Sequence, residues 1–156
     1  MNKIDLDKAL GWLASLGVIA GILLLAYELN QNREMMRAQT RNDLAQTVVD
    51  LAIADSQDIV RADILVRGLN GETLSESEQW IHDRRTNAWF RYWENVHYQY
   101  RNGLYDQVEF SKQVEAMRRV VNTSPGMVDH WCRTRTTYSP QFAAEMDSLL
   151  SLYTCE

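Results

Sequence analysis

Ala9 to Tyr27 carries no charged side chain and is bounded by Lys8 and Glu28. As a helix this run rises about 28 Å at ~1.5 Å per residue, close to the ~30 Å of a bilayer's hydrocarbon. A secretory signal has an apolar core of about 7–15 residues followed by a small-x-small cleavage site. This run is longer, and Ala26-Tyr27-Glu28-Leu29-Asn30 offers no such site. A buried soluble helix of that length is usually interrupted by a polar residue. The run therefore reads as a retained membrane anchor, with the bilayer as the chain's first partner.

Orientation turns on Lys and Arg near the span. Lys3 and Lys8 on one side nearly balance Arg33, Arg37 and Arg41 on the other. The short tail also holds Asp5 and Asp7, and a tail with almost no net charge crosses a membrane easily. The expectation is a single-pass membrane protein with its domain in the cytoplasm. Cys132 and Cys155 could pair in an oxidising compartment. A straight final hairpin turning near residues 136–138 would hold them roughly 20 Å apart at ~1.5 Å per residue, so free thiols are expected.

The 156 residues include only two prolines and seven glycines, and no later stretch shows sustained period-two alternation. The reading is all-α. A tail (1–8) leads to a transmembrane helix (9–28), which continues as a stalk helix (29–54). A small antiparallel bundle follows (55–156). Asp55-Ser56 is expected to cap a short helix stopped by Gly68 and Asn70-Gly71. Ser75 and Glu78 form a capping box for a helix reaching Arg101 and ending at Asn102-Gly103. Asp106 and Glu109 repeat that pattern ahead of the apolar stripe Phe110, Val114, Met117 and Val121. Ser124-Pro125 and Ser139-Pro140 each pair a serine cap with proline at the first helical position. The last helix is expected to bury Phe142, Met146, Leu149 and Tyr153.

Candidate sites are few. Gly17 and Gly21 form a Gly-x-x-x-Gly, with Gly11 and Ser15 at the same spacing, a small-residue face on which two membrane helices can pack. Arg33, Arg37 and Arg41 recur every fourth residue and could meet anionic headgroups, or simply be a solvated helix face. Gln39, Asn42 and Gln46 give the stalk an uncharged polar face, suited to interhelical hydrogen bonds, a hydrated lumen or a lone exposed helix. Trp89, Trp93, Glu94, Asn95, Tyr98 and Gln99 crowd one helix, where the expected role is structural. Glu94 and Asn95 would be a buried pair satisfying loop backbone.

Glu94 and His97 match a Glu-x-x-His spacing, but a di-iron bundle needs a second copy and two further glutamates. His97 sits on a stripe with Trp89 and Trp93 and reads as an aromatic-like core residue. His130, Cys132 and Cys155 lack the close paired spacing of a zinc site. No metal, cofactor, catalytic residue or small-molecule substrate is assigned. A net charge of −5 argues against nucleic acid, which needs a positive field.

The words "LNQNREMMRAQTRNDL", "LSESE", "FRYWENVHYQYRNGLYD", "SPGMVDHW" and "YSPQF" resemble a widespread group of small bacterial membrane-anchored helical proteins of unknown function. The resemblance covers most of the chain. It implies a bacterial source and this topology, and carries over no catalytic residue. The functional expectation is a membrane-anchored interaction or scaffold module that self-associates or docks a membrane protein, without catalysis. Alternatives are an oligomeric pore with the Asn/Gln stalk facing water, and a metal enzyme using Glu94 and His97.

Overall fold

The computed structural model describes the backbone of residues 3–150, 153 and 155, with side chains from Leu6 onward. Six α-helices follow in order, with no strand among the described residues: α1 (Lys3–Ser56), α2 (Ile59–Leu69), α3 (Glu76–Arg101), α4 (Gln107–Thr123), α5 (Pro125–Thr134) and α6 (Pro140–Leu149). A 3₁₀ turn, Arg135–Thr137, joins α5 to α6. The chain is thus a long N-terminal apolar helix followed by a small helical bundle.

Two compact units divide the chain, residues 1–39 and 40–156. In the first, the apolar window of α1 is long and oily enough to cross a membrane, and none of it is buried. Added Cβ atoms on Gly11, Gly17 or Gly21 would meet nothing within 4 Å. Ser15 returns its hydroxyl to the Gly11 carbonyl.

In the second unit, the end of α1 belongs to the core. Leu44 is buried, with Val48 and Leu51 packed beside it. Residues 40–54, expected as stalk, are therefore part of the folded unit. Leu44, Val48 and Leu51 face the bundle, while Val49 and Ile53 remain exposed with Asn42 and Gln46. The core itself is built from Phe90, Trp93 and Val96 of α3, Met117 and Val121 of α4, Trp131 of α5, and Phe142, Met146 and Leu149 of α6.

Helix ends follow local chemistry. Ser75 and Glu78 make the reciprocal capping box, and Asp106 accepts from the amides of Val108 and Glu109. Gly71 and Gly103 take the positive φ values, 75° and 70°, that close α2 and α3. Gly68 lies inside α2 and has another use. A Cβ on Gly126 would stand 1.8 Å from the Gly68 carbonyl oxygen, and one on Gly68 would stand 2.2 Å from His82 Cδ2. The two glycines let α2 and α5 cross backbone to backbone over the His82 ring.

Four expectations are corrected. Asp58, not Asp55, caps α2, accepting from the amides of Val60 and Arg61, because α1 continues through Ser56. Ser124 and Ser139 precede their prolines without side-chain capping bonds. Helix α6 ends at Leu149, and Leu150 is extended (ψ 93°), so Tyr153 lies beyond the helix. Because the chain leaves the helix there, the straight-hairpin distance does not apply. Cys132 and Cys155 are joined in a disulfide with Cα atoms 5.2 Å apart, and they are not free thiols.

Candidate ligand-binding site

Where α2, α3 and α5 meet, a cavity of about 250 Å³ is left unfilled. Leu65 and Leu69 of α2, Trp89 and Trp93 of α3, Val120 of α4 and Met127 of α5 make its apolar walls. Asp55, His82, Arg85 and Thr86 complete the lining. The hollow follows from the packing just described. The glycine crossing brings α2 and α5 together at one end, while the large indoles of α3 hold the helices apart at the other.

Its polar edge is tightly organised. The Arg85 guanidinium donates to the Leu51 carbonyl and to Asp55 Oδ2 through one nitrogen. It also lies over the Trp89 ring, 5.3 Å from the centroid. Only 12% of the Arg85 side chain is exposed. The ion pair engages one guanidinium nitrogen and one carboxylate oxygen. Arg85 Nε, Asp55 Oδ1 and His82 Nδ1 are buried with no hydrogen-bond partner among the described residues. Three buried polar atoms lacking partners thus belong to residues lining a single cavity.

Behind His82 lies a second polar group. Thr86 Oγ1 and His82 Nε2 are 3.3 Å apart. Asp83 receives both terminal nitrogens of Arg133, at 2.9 and 3.3 Å, the Gln79 amide at 3.0 Å, and sits 3.1 Å from His130 Nδ1. Burial pushes the Asp83 carboxyl up, but the bonds from Arg133, His130 and Gln79 outweigh it and hold it at about 2. Burial lowers both His82 and His130, against the pull of Asp83. Burial, followed by the Arg101 charge, lowers His97 as well.

Histidines depressed in the folded state contribute stability that is present above the unfolded value of about 6.5 and lost as pH falls below it. Asp83 contributes stability that is present above about 3.9 and lost toward its folded value of about 2. Acid is therefore expected to lower Tm in two stages, the first beginning below about pH 6.5 and the second below about pH 4. Thermal unfolding followed across that range checks it. An unchanged Tm between about pH 7.5 and pH 5 would show that the histidines are not held neutral.

The residues singled out from sequence distribute unevenly. Trp89 and Trp93, with ring centroids 6.1 Å apart, line the cavity. Glu94 is half-buried, and its Oε1 accepts from the Ser139 backbone amide at 2.7 Å, at the start of α6. Oε2 meanwhile pairs with Arg91. Burial raises the Glu94 carboxyl, and the bonds from Ser139 and Arg91 bring it below its ordinary value. Asn95 is exposed, not buried, and accepts from Gln99, while Tyr98 faces outward. His97 is buried against Phe110 and Phe142, as an aromatic-like core residue. Arg41 pairs with Glu109, and Arg37 with Glu34. Gln39, Asn42 and Gln46 are exposed, and Gln46 donates to Asp50.

Sequence reasoning did not single out His82, Arg85, Thr86 or Met127. The available signal was "HDRR", residues 82–85, four polar side chains in a helix otherwise loaded with buried aromatics. Compared with known proteins, the chain matches no family, no curated protein and no solved structure.

Proposed function

We propose that this chain is a membrane-anchored helical binding module, without catalysis, whose folded unit holds a small apolar ligand. The observation that carries the reading is the α2–α3–α5 cavity, walled by Leu65, Leu69, Trp89, Trp93 and Met127. Dry apolar cavities of about 150 Å³ are known to take benzene-sized guests, and this one is larger. The His130–Asp83 pair has the look of an acid–base dyad, but His130 Nε2 is buried and out of a substrate's reach.

The span stays in the bilayer, which the resemblance makes a bacterial inner membrane. The Cys132–Cys155 disulfide supports placing the domain on the oxidising side. That is opposite to the cytoplasmic side favoured by the charge count. The uncovered Gly17–Gly21 face supports self-association of the span.

Two measurements test this reading. Toluene added to the full chain in lipid nanodiscs should shift the Met127 methyl and the Trp89 and Trp93 indole resonances saturably. Val120→Trp, a substitution at a half-open wall position (36% exposed), should abolish the shifts. Shifts that grow linearly without saturating would defeat the cavity reading. Separately, the mass of the wild type in detergent should exceed that of Gly17→Leu/Gly21→Leu. Monomers in both would remove self-association.

A further inference from the structure

A second hollow, of about 290 Å³, is lined by Arg61, Trp80, Arg84, Asp55 and Arg85, with Ile81 and small alanines between them. It shares Asp55 and Arg85 with the apolar cavity, so one ion pair borders both spaces. Its charge is lopsided. Three arginines face one carboxylate, in a chain whose net charge is −5. Arg61 and Arg84 are exposed and make no ion pair with any described residue. Arg84 instead lies over the Trp80 ring, 5.6 Å from its centroid. Trp80 is 62% exposed despite that contact.

We propose that these two hollows form one site for an anionic amphiphile, an alkyl chain of about eight to ten carbons ending in a carboxylate or phosphate. This inference rests on the cavity reading above. The chain length follows from scaling a 150 Å³ benzene-holding cavity to about 250 Å³, roughly ten carbons. The tail lies against Leu65, Trp89 and Met127, and the head lies between Arg61 and Arg84, with Trp80 flanking it. Arg85 stands at the junction. Its Nε–H has no acceptor among the described residues, and a slight opening of the Asp55–Arg85 pair presents that donor to the head. Guanidinium forks suit carboxylate and phosphate oxygens better than point charges do. Neither hollow alone selects such a molecule. The apolar one has no counter-charge to spare, and the basic one offers an alkyl chain only Trp80, Ile81, Ala54 and Ala88.

The test uses the full chain in zwitterionic nanodiscs, with empty nanodiscs subtracted. Octanoate, octyl phosphate and octanol are titrated while the Trp89 and Trp93 indole signals are followed. Octanoate and octyl phosphate are expected to bind at least tenfold tighter than octanol. Which of the two anions binds tighter identifies the head group. Arg61→Gln/Arg84→Gln alters two exposed side chains, and its Tm checks folding. It should erase the anion preference while leaving octanol affinity unchanged. Val120→Trp should weaken all three ligands.

Equal affinity for octanol and the anions, or a preference surviving the double arginine variant, would overturn the anionic head while leaving the apolar cavity standing. Anion binding undiminished in Val120→Trp would place the ligand elsewhere and overturn the joined site. If none of the three ligands moves the indole signals, the inference fails, and saturable toluene binding shows whether the cavity reading survives it.

Discussion

Trp131→Ala should remove about 4 kcal/mol of stability from the folded unit, the usual range for deleting a fully buried large aromatic being about 3–5. Trp131 has no exposed surface. Its ring centroid lies 5.1 Å from that of Phe90, 5.2 Å from Tyr138 and 5.8 Å from Phe142. One residue of α5 therefore ties together α3, Tyr138 just after the 3₁₀ turn, and α6. Its indole N–H donates to Asp147 Oδ1 at 2.9 Å, so the same side chain fixes α6 by a directional bond. Domains of this size have about 5–15 kcal/mol in total. The loss corresponds to a fall in Tm of about 15 °C, taking roughly 4 °C per kcal/mol. Trp131→Phe keeps much of the apolar volume and loses the bond to Asp147, so it should cost about half as much. Thermal and denaturant unfolding of the full chain in nanodiscs measure both. A loss under about 1 kcal/mol for Trp131→Ala would contradict the packing described for α5.

Cys132→Ser/Cys155→Ser is the second large effect. The disulfide closes a segment of sequence separation 23, and chain entropy alone assigns such a loop about 3 kcal/mol at 25 °C. Within that loop lie the 3₁₀ turn and all of α6. Cys155 packs against the core, so opening the bridge also frees a core contact. The purified chain should resist thiol-specific labelling until reductant is added, after which two sites react. Its Tm should fall on reduction to that of the double serine variant. Quantitative labelling of the native chain without reductant would refute the bridge and, with it, the argument for the oxidising side of the membrane.

How much of this was legible beforehand depends on the range of the interactions involved. Ser75 and Glu78 meet within one helical turn, and Gly103 closes α3 beside its own last residues, so these ends could be read directly. The stripe of Phe110, Val114, Met117 and Val121 was equally plain: Val114 is half-buried and the other three are buried. Asp55 shows the opposite case. Taken alone, its position after a helical run reads as a cap. In the fold it pairs with Arg85, 30 residues away, while Asp58 takes the capping role. Asp83 meets His130 and Arg133 across separations of 47 and 50. Nothing in the local pattern distinguishes those partners from any other surface charges.

The amino-acid order alone determined that the chain is helical, where most helices begin and end, and that its first long apolar run suits a bilayer. Those properties arise from backbone capping, side-chain periodicity and transfer of apolar groups out of water, all of which act over a few neighbouring residues. The tertiary structure alone decided the cysteine pairing, the part-buried Asp55–Arg85 pair and the cavity beside it. Each depends on contacts between segments distant in sequence: the turn of the chain after Leu149 for the disulfide, the packing of α1 on α3 for the ion pair, and the Gly68–Gly126 approach of α2 and α5 beside the cavity.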